Sequence, residues 1–420
     1  MKNFISTLFA LAIIATGCNN AGKYEGYRVL EKRFVKEVNA ECIYLEHIKS
    51  GARIFKIAAD DPNKTFSVAF KTPPNSDSGT PHIMEHSVLN GSENFPVKSP
   101  FDVLMQGSLN TFLNAMTGSD ITIYPVASMN MKDYFNLMHV YMDAVFKPLI
   151  YKDPRILAQE GWHYELAGPD QPLIYKGVVY NEMKGAYSNP STELNYQVNR
   201  NLFPDSPYRF SSGGYPPAIP DLTYEDFLAF HRKYYDPSNS YILLYGDADL
   251  ASELEFMDKN YLSGYDRSAE KVTIPLQQPF GEMVRVVTGY PVLEGSDTRD
   301  KSYLQLSFIV ADNPGQDDAM AFNILTDILV NNESGVVKKA LQEAGIGKNY
   351  SAYSTGDLQL SVHITVQDAN EEDLDRFREV VMESLRKVVQ DGIDKKAIEG
   401  AINRMEFMLR EGDSPQKGLT

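Results

Sequence analysis

The chain has 420 residues, with 56 acidic against 40 basic side chains and a formal charge of −16. Its 43% hydrophobic content, with 25 Tyr and 21 Phe, can bury sizeable cores and excludes wholesale disorder, and the length suggests two or three domains. The acidic balance excludes nucleic acid as a partner, because phosphate binding needs clustered Lys and Arg, and it suits basic or neutral peptides. Only two cysteines, Cys18 and Cys42, exclude a disulfide scaffold and a cysteine-rich zinc site.

Residues 1–18 read as a lipoprotein signal peptide. Lys2 gives a positive start, Phe4 to Thr16 is mostly apolar, and no later apolar run approaches the roughly 20 residues needed to span a bilayer. The run Ala15-Thr16-Gly17-Cys18 resembles a bacterial lipobox. That likeness implies lipidation at Cys18, export, and a membrane contact through an N-terminal lipid anchor in the bacterial cell envelope. Cys42, left alone, reads as a small buried apolar residue.

Ile54 to Ala59 and Thr65 to Phe70 read as strands, and the Pro, Ser and Asn of Lys71 to Gly79 as a loop before a helix starting near Thr80. Leu109 to Ser128 holds two strand-like pieces around a turn at Gly118-Ser119-Asp120. Asn130 can cap the next helix, which ends before Pro148. Val178 to Tyr187 reads as a helix followed by a break at Asn189-Pro190, Leu222 to Tyr235 as another helix, and Tyr241 to Tyr245 as a short buried strand.

Ser263 to Phe280 lacks periodicity, so the chain divides into a first unit over 25–263, a linker over 264–283 and a second unit over 284–420. In the second unit Tyr303 to Val310 and Leu358 to Val366 read as strands, and Asp317 to Leu329 as a helix. Asn370 caps a long helix whose Leu374, Phe377, Val381, Leu385 and Val388 form one apolar stripe, Gly392 ends it, and Asp394 caps the last helix. The two units look like a duplication. His82-Ile83-Met84-Glu85-His86 can be laid over Asn323-Ile324-Leu325-Thr326-Asp327, with Asn90 matching Asn331, so the second copy keeps the apolar scaffold without the polar chemistry.

On a helix, His82 and His86 project from one face a turn apart. Two imidazoles so placed can bind one Zn2+ while Glu85 sits beside the open position, where a carboxylate can take the proton of a zinc-bound water. This H-x-x-E-H order is the inverted zinc-protease signature. A third ligand is owed. Glu160, Glu165, Glu182 and Glu193 are all acidic candidates downstream, and spacing does not choose among them.

Gly79-Thr80-Pro81-His82-Ile83-Met84-Glu85-His86 resembles the active-site helix of the pitrilysin/insulinase metallopeptidases, in particular the presequence-protease branch. The runs Ser108 to Thr117 and Tyr124 to Ser128, Gln159 to Glu165, and Gly177 to Gly185 are similar to further blocks of that family, in order. The resemblance implies an α+β fold of tandem homologous domains, each a mostly antiparallel sheet packed against helices. It implies a zinc-dependent metalloendopeptidase acting on unstructured peptides, with Glu85 catalytic and Glu182 completing the His82/His86 metal site. It also implies that substrate adds as a strand at Asn114 and Ala115, and that Leu89, Phe101 and Met105 line the adjoining pocket.

Members of that branch carry four related domains, whereas this sequence stops within the second. The expectation is therefore an N-terminal portion that binds zinc, cleaves peptides poorly alone and needs the C-terminal half of its own chain. The rival reading is a non-catalytic peptide-binding or scaffold lipoprotein that kept the fold.

Overall fold

The structure, a computed structural model, describes residues 24–356 and 358–411. The leader and Cys18 lie outside them. The first unit opens with strands β1 (Tyr27–Val35), β2 (Ala40–His47), β3 (Arg53–Ala58) and β4 (Lys64–Lys71). Helices α1 (Thr80–Val88) and α2 (Pro100–Gly107) precede β5 (Asn110–Leu113), the two-residue β6 (Met116–Thr117) and β7 (Ile121–Ser128). Then come α3 (Met131–Phe146), α4 (Arg155–Glu160), the hairpin β8 (His163–Glu165) and β9 (Ile174–Lys176), α5 (Val178–Ala186) and α6 (Pro190–Leu202). Helix α7 (Tyr224–Tyr234), strand β10 (Ser240–Tyr245) and helix α8 (Leu250–Asn260) complete it.

All these strands except the hairpin form one sheet in the order β1-β2-β3-β10-β4-β7-β5, with β6 also on β7. Only the β3–β10 pair is parallel. Strand β10 thus closes the sheet centre from the far end of the unit, and β5 is left on an edge.

Against this sheet α3 presents Tyr134, Leu137, Met138, Tyr141 and Val145 at helical spacing, each fully buried. Each such side chain contributes about 1.5–3 kcal/mol by leaving water. Helix α1 is too short to persist alone. Ile83, Met84 and Val88 fix it in the same core, while His82 and His86 stay partly exposed. A buried polar staple joins three elements: Lys56 Nζ lies 2.7 Å from Glu253 Oε2, and the Tyr134 hydroxyl donates to Glu253 Oε1 at 2.7 Å.

The second unit contains β11 (Ser302–Asp312), α9 (Gln316–Thr326), α10 (Val336–Glu343), β12 (Asn349–Thr355), β13 (Gln359–Ala369), α11 (Leu374–Asp391) and α12 (Lys395–Glu411). Its antiparallel sheet runs β11-β13-β12. Phe377 and Val381 of the expected α11 stripe are fully buried, with Leu374, Leu385 and Val388 packed beside them. Among the described residues no helix is long and apolar enough to cross a membrane.

Three features differ from the sequence reading. Strands β1 and β2 were not foreseen: β1 is an edge strand with exposed charges, and a register shift between Val29 and Glu31 breaks its alternation. Helix α6 follows directly where Asn189-Pro190 suggested only a break. The Asn189 side chain accepts from the Ser191 N–H and Pro190 sits in the first turn, so the pair that ends one helix starts the next. The stretch without helix or strand between the units runs to Lys301, past the expected boundary. It is anchored, since buried Gln277 bonds Asp205 of the first unit and Gln359 of the second.

Candidate metal centre

Gly79 stands at the N-cap of α1, and its φ of 69° is a left-handed conformation that suits glycine. A Cβ there would lie 2.7 Å from the Gly213 carbonyl oxygen, so only glycine allows the two backbones to approach. The approach has a purpose for the site: the same Gly213 carbonyl lies 3.3 Å from His82 Nδ1. A carbonyl can only accept, so Nδ1 carries the proton and Nε2 offers its lone pair. His86 is oriented the same way by a carboxylate, with Nδ1 3.3 Å from Glu160 Oε2.

Both free Nε2 atoms face one carboxylate oxygen. Glu182 Oε2 on α5 lies 3.7 Å from His82 Nε2 and 3.8 Å from His86 Nε2. The three residues form a group whose ligand atoms all lie within 4.8 Å of one another. Tetrahedral ligands about 2.0–2.1 Å from a zinc ion sit roughly 3.3 Å apart, so Glu182 Oε2 needs to close on each imidazole by only a few tenths of an ångström. Two imidazoles and one carboxylate also fit zinc chemically.

The other acidic candidates are engaged elsewhere. Glu165 pairs with Lys176 at 2.6 Å across the hairpin, and Glu193 accepts from Gln197 at 2.8 Å on α6. Glu160 is beside the centre but on the outer nitrogen of His86, which makes it an orienting partner of a ligand. Burial works against its charge, yet hydrogen bonds from His86, Gln159 and Asn90 hold its pKa below the usual carboxylate range. Burial likewise opposes protonation of His86, but Glu160, Glu85 and Glu182 outweigh it and raise the pKa. Spacing could not separate Glu160 from Glu182; the side of the imidazole each one meets does.

Glu85 is buried and belongs to neither set of His contacts. Its Oε2 accepts from the Thr117 hydroxyl of β6 at 2.5 Å, a partner the sequence reading did not foresee. Asn114 and Ala115 lie between β5 and β6 on the sheet edge. The Asn114 N–H donates to the Pro125 carbonyl at 3.2 Å, and its carbonyl accepts from the buried Tyr141 hydroxyl at 3.2 Å. Asn114 is thus tied inward, leaving Ala115 as the neighbouring backbone step along that edge. Of the three expected pocket residues, Leu89 is buried at the end of α1, Phe101 packs against the core from α2, and Met105 is half exposed.

A second glycine contact sets the third donor. Gly177 (φ 154°) precedes α5, and a Cβ there would lie 2.0 Å from the Gly161 carbonyl oxygen, just after the helix that carries Glu160. Gly177→Ala must push α5 away from α4. The expected result is a lower thermal midpoint and zinc retention weakened by about tenfold or more in chelator competition.

At the aligned positions of the second unit no such set forms. Asn323 accepts from Ser354 at 2.7 Å, Thr326 bonds its own helix, and Asp327, in a π-helical turn after α9, pairs with Arg404.

Residues 221–405 match the peptidase M16 inactive domain. Over 391 residues the chain is 46% identical to Protein HypA of Clostridium perfringens, covering 93% of this chain and 40% of that protein. It is 39% identical over 394 residues to presequence protease 1, chloroplastic/mitochondrial, of Arabidopsis thaliana, covering 93% and 36%. The chain is similar to Protein HypA and presequence proteases over nearly its whole length, and its residues 221–405 match a peptidase M16 domain. It spans about two fifths of the length of these curated relatives. Two solved structures share the fold: pitrilysin, with a TM-score of 0.63, 15% identity and coverage of 94% of this chain and 41% of that one, and a Helicobacter pylori protease, with 0.65, 15%, 90% and 86%. The inactive-domain match begins after His82, Glu85, His86 and Glu182, so it does not bear on them. An M16 peptidase fold of the α+β class is what the relatives and the sheets have in common.

Proposed function

We propose that this chain carries the hydrolytic centre of a zinc-dependent endopeptidase acting on unstructured peptides. The observation that supports it most is the convergence of two imidazole Nε2 atoms and Glu182 Oε2, next to a buried carboxylate that is not needed as a ligand. His82, His86 and Glu182 would hold the ion. Bound by these residues, a zinc ion would lower the pKa of water to about 7 and polarise a peptide carbonyl. Glu85 takes the proton from the attacking water and returns it to the leaving amine. Glu160 and the Gly213 carbonyl keep both rings turned the right way.

The peptide adds as a strand at the edge that holds Asn114 and Ala115. Main-chain pairing carries little side-chain information, so it suits varied unstructured sequences. Met105, the exposed member of the three pocket residues, is the one placed to meet a substrate side chain. The second unit, which the inactive-type match covers as far as residue 405 and whose described residues hold no such donor set, acts as support. In the same proposal the protein is exported and lipid-anchored through Cys18, and the C-terminal portion of the longer relatives completes the peptide site.

The purified protein should cleave an unstructured fluorogenic peptide, lose that activity to a zinc chelator and regain it with added Zn2+. Cleavage that persists unchanged after complete metal removal would rule the proposal out.

A further inference from the structure

Glu85 must aim one oxygen at the reacting water while lying on a helix that offers no hydrogen bond to it. Its Oε2 is held instead by Thr117, from β6 of the sheet. The β6 strand pairs with β7 through Met116–Ile123 and Thr117–Thr122, and a buried Thr122–Thr72 hydroxyl contact of 2.7 Å fixes that register from beneath. Three residues before Thr117, Tyr141 holds the Asn114 carbonyl. The segment from Asn114 to Thr117 is therefore tied down at both ends, and it contains both the sheet edge and the hydroxyl that holds Glu85.

We propose that Thr117 is a positioning residue that fixes the Glu85 carboxylate by donating its hydroxyl hydrogen to Oε2, so that the strand edge receiving the peptide and the general base move as one body. With Oε2 engaged by the hydroxyl, Oε1 is left for the proton in transit, and a peptide docked on the edge meets a base already in register with it. The inference rests on the peptidase reading of the site, and it predicts an effect on turnover without an effect on metal.

The test compares Thr117→Val, which keeps the shape and removes the hydroxyl, with Thr117→Ser, which keeps the hydroxyl. For Thr117→Val, kcat on an unstructured peptide should fall about 10- to 100-fold with KM within about twofold and zinc content unchanged. Thr117→Ser should recover to within about threefold of wild type. Equal loss in both variants, loss of zinc, or a loss carried by KM would overturn the proposal, because each marks a packing or binding role. A second readout needs no turnover. In crystals of the zinc-loaded variants the Glu85 carboxylate should keep one orientation with Ser and lose it with Val; an unchanged orientation with Val overturns the proposal. Wild-type protein without peptidase activity would instead count against the peptidase reading, while the crystallographic comparison would still judge Thr117.

Discussion

Glu85→Gln should lower peptide hydrolysis by about 10²–10⁴-fold while zinc content and zinc affinity stay at wild-type levels. The separation follows from the geometry. Glu85 does not share the atoms that meet at Glu182 Oε2, and its nearest partner is Thr117, to which a glutamine oxygen can still serve as acceptor. What the amide lacks is the capacity to take a proton. Steady-state cleavage of a fluorogenic peptide, run beside metal analysis of the same sample, reads both quantities. Near-normal cleavage by the variant would remove Glu85 from the mechanism. A matching loss of zinc would make it a ligand.

Glu182→Ala and Glu160→Gln separate the two carboxylates that meet the histidines. Glu182 faces both Nε2 atoms, whereas Glu160 faces only the outer nitrogen of His86. Loss of an orienting partner typically weakens metal binding about 10- to 100-fold, and loss of a direct ligand should exceed that. Competition with a chelator of known affinity should therefore rank Glu182→Ala as the weakest binder, Glu160→Gln next and Glu85→Gln close to wild type. A reversed order of the first two would exchange their roles.

The division between what sequence shows and what it hides has a physical basis here. His82, Glu85 and His86 are readable because helical periodicity puts residues four apart on one face, so their chemistry is local. The third ligand is not local. Four acidic residues were open on spacing, and Glu182 was favoured only through the resemblance of the Gly177 to Gly185 block to known metallopeptidases. Its position depends on how closely Gly177 lets α5 approach the Gly161 backbone.

The fold shows the same contrast. The α11 stripe is periodic and was legible. Strand β10, though recognised as a strand, gives no hint in its sequence that it lies between β3 and β4. The Thr117–Glu85 contact was hidden for a related reason: a two-residue strand has no periodic signal, and its register comes from β7.

The central claim is that His82, His86 and Glu182 together hold one zinc ion. X-ray absorption on protein purified without chelators and supplied with Zn2+ tests it most directly, alongside metal stoichiometry. One zinc per chain is expected, with two imidazole nitrogens and a carboxylate oxygen at about 2.0–2.2 Å, and with the oxygen contribution altered in Glu182→Ala. Protein that stays metal-free under these conditions, or a spectrum that does not change when Glu182 is removed, would contradict it.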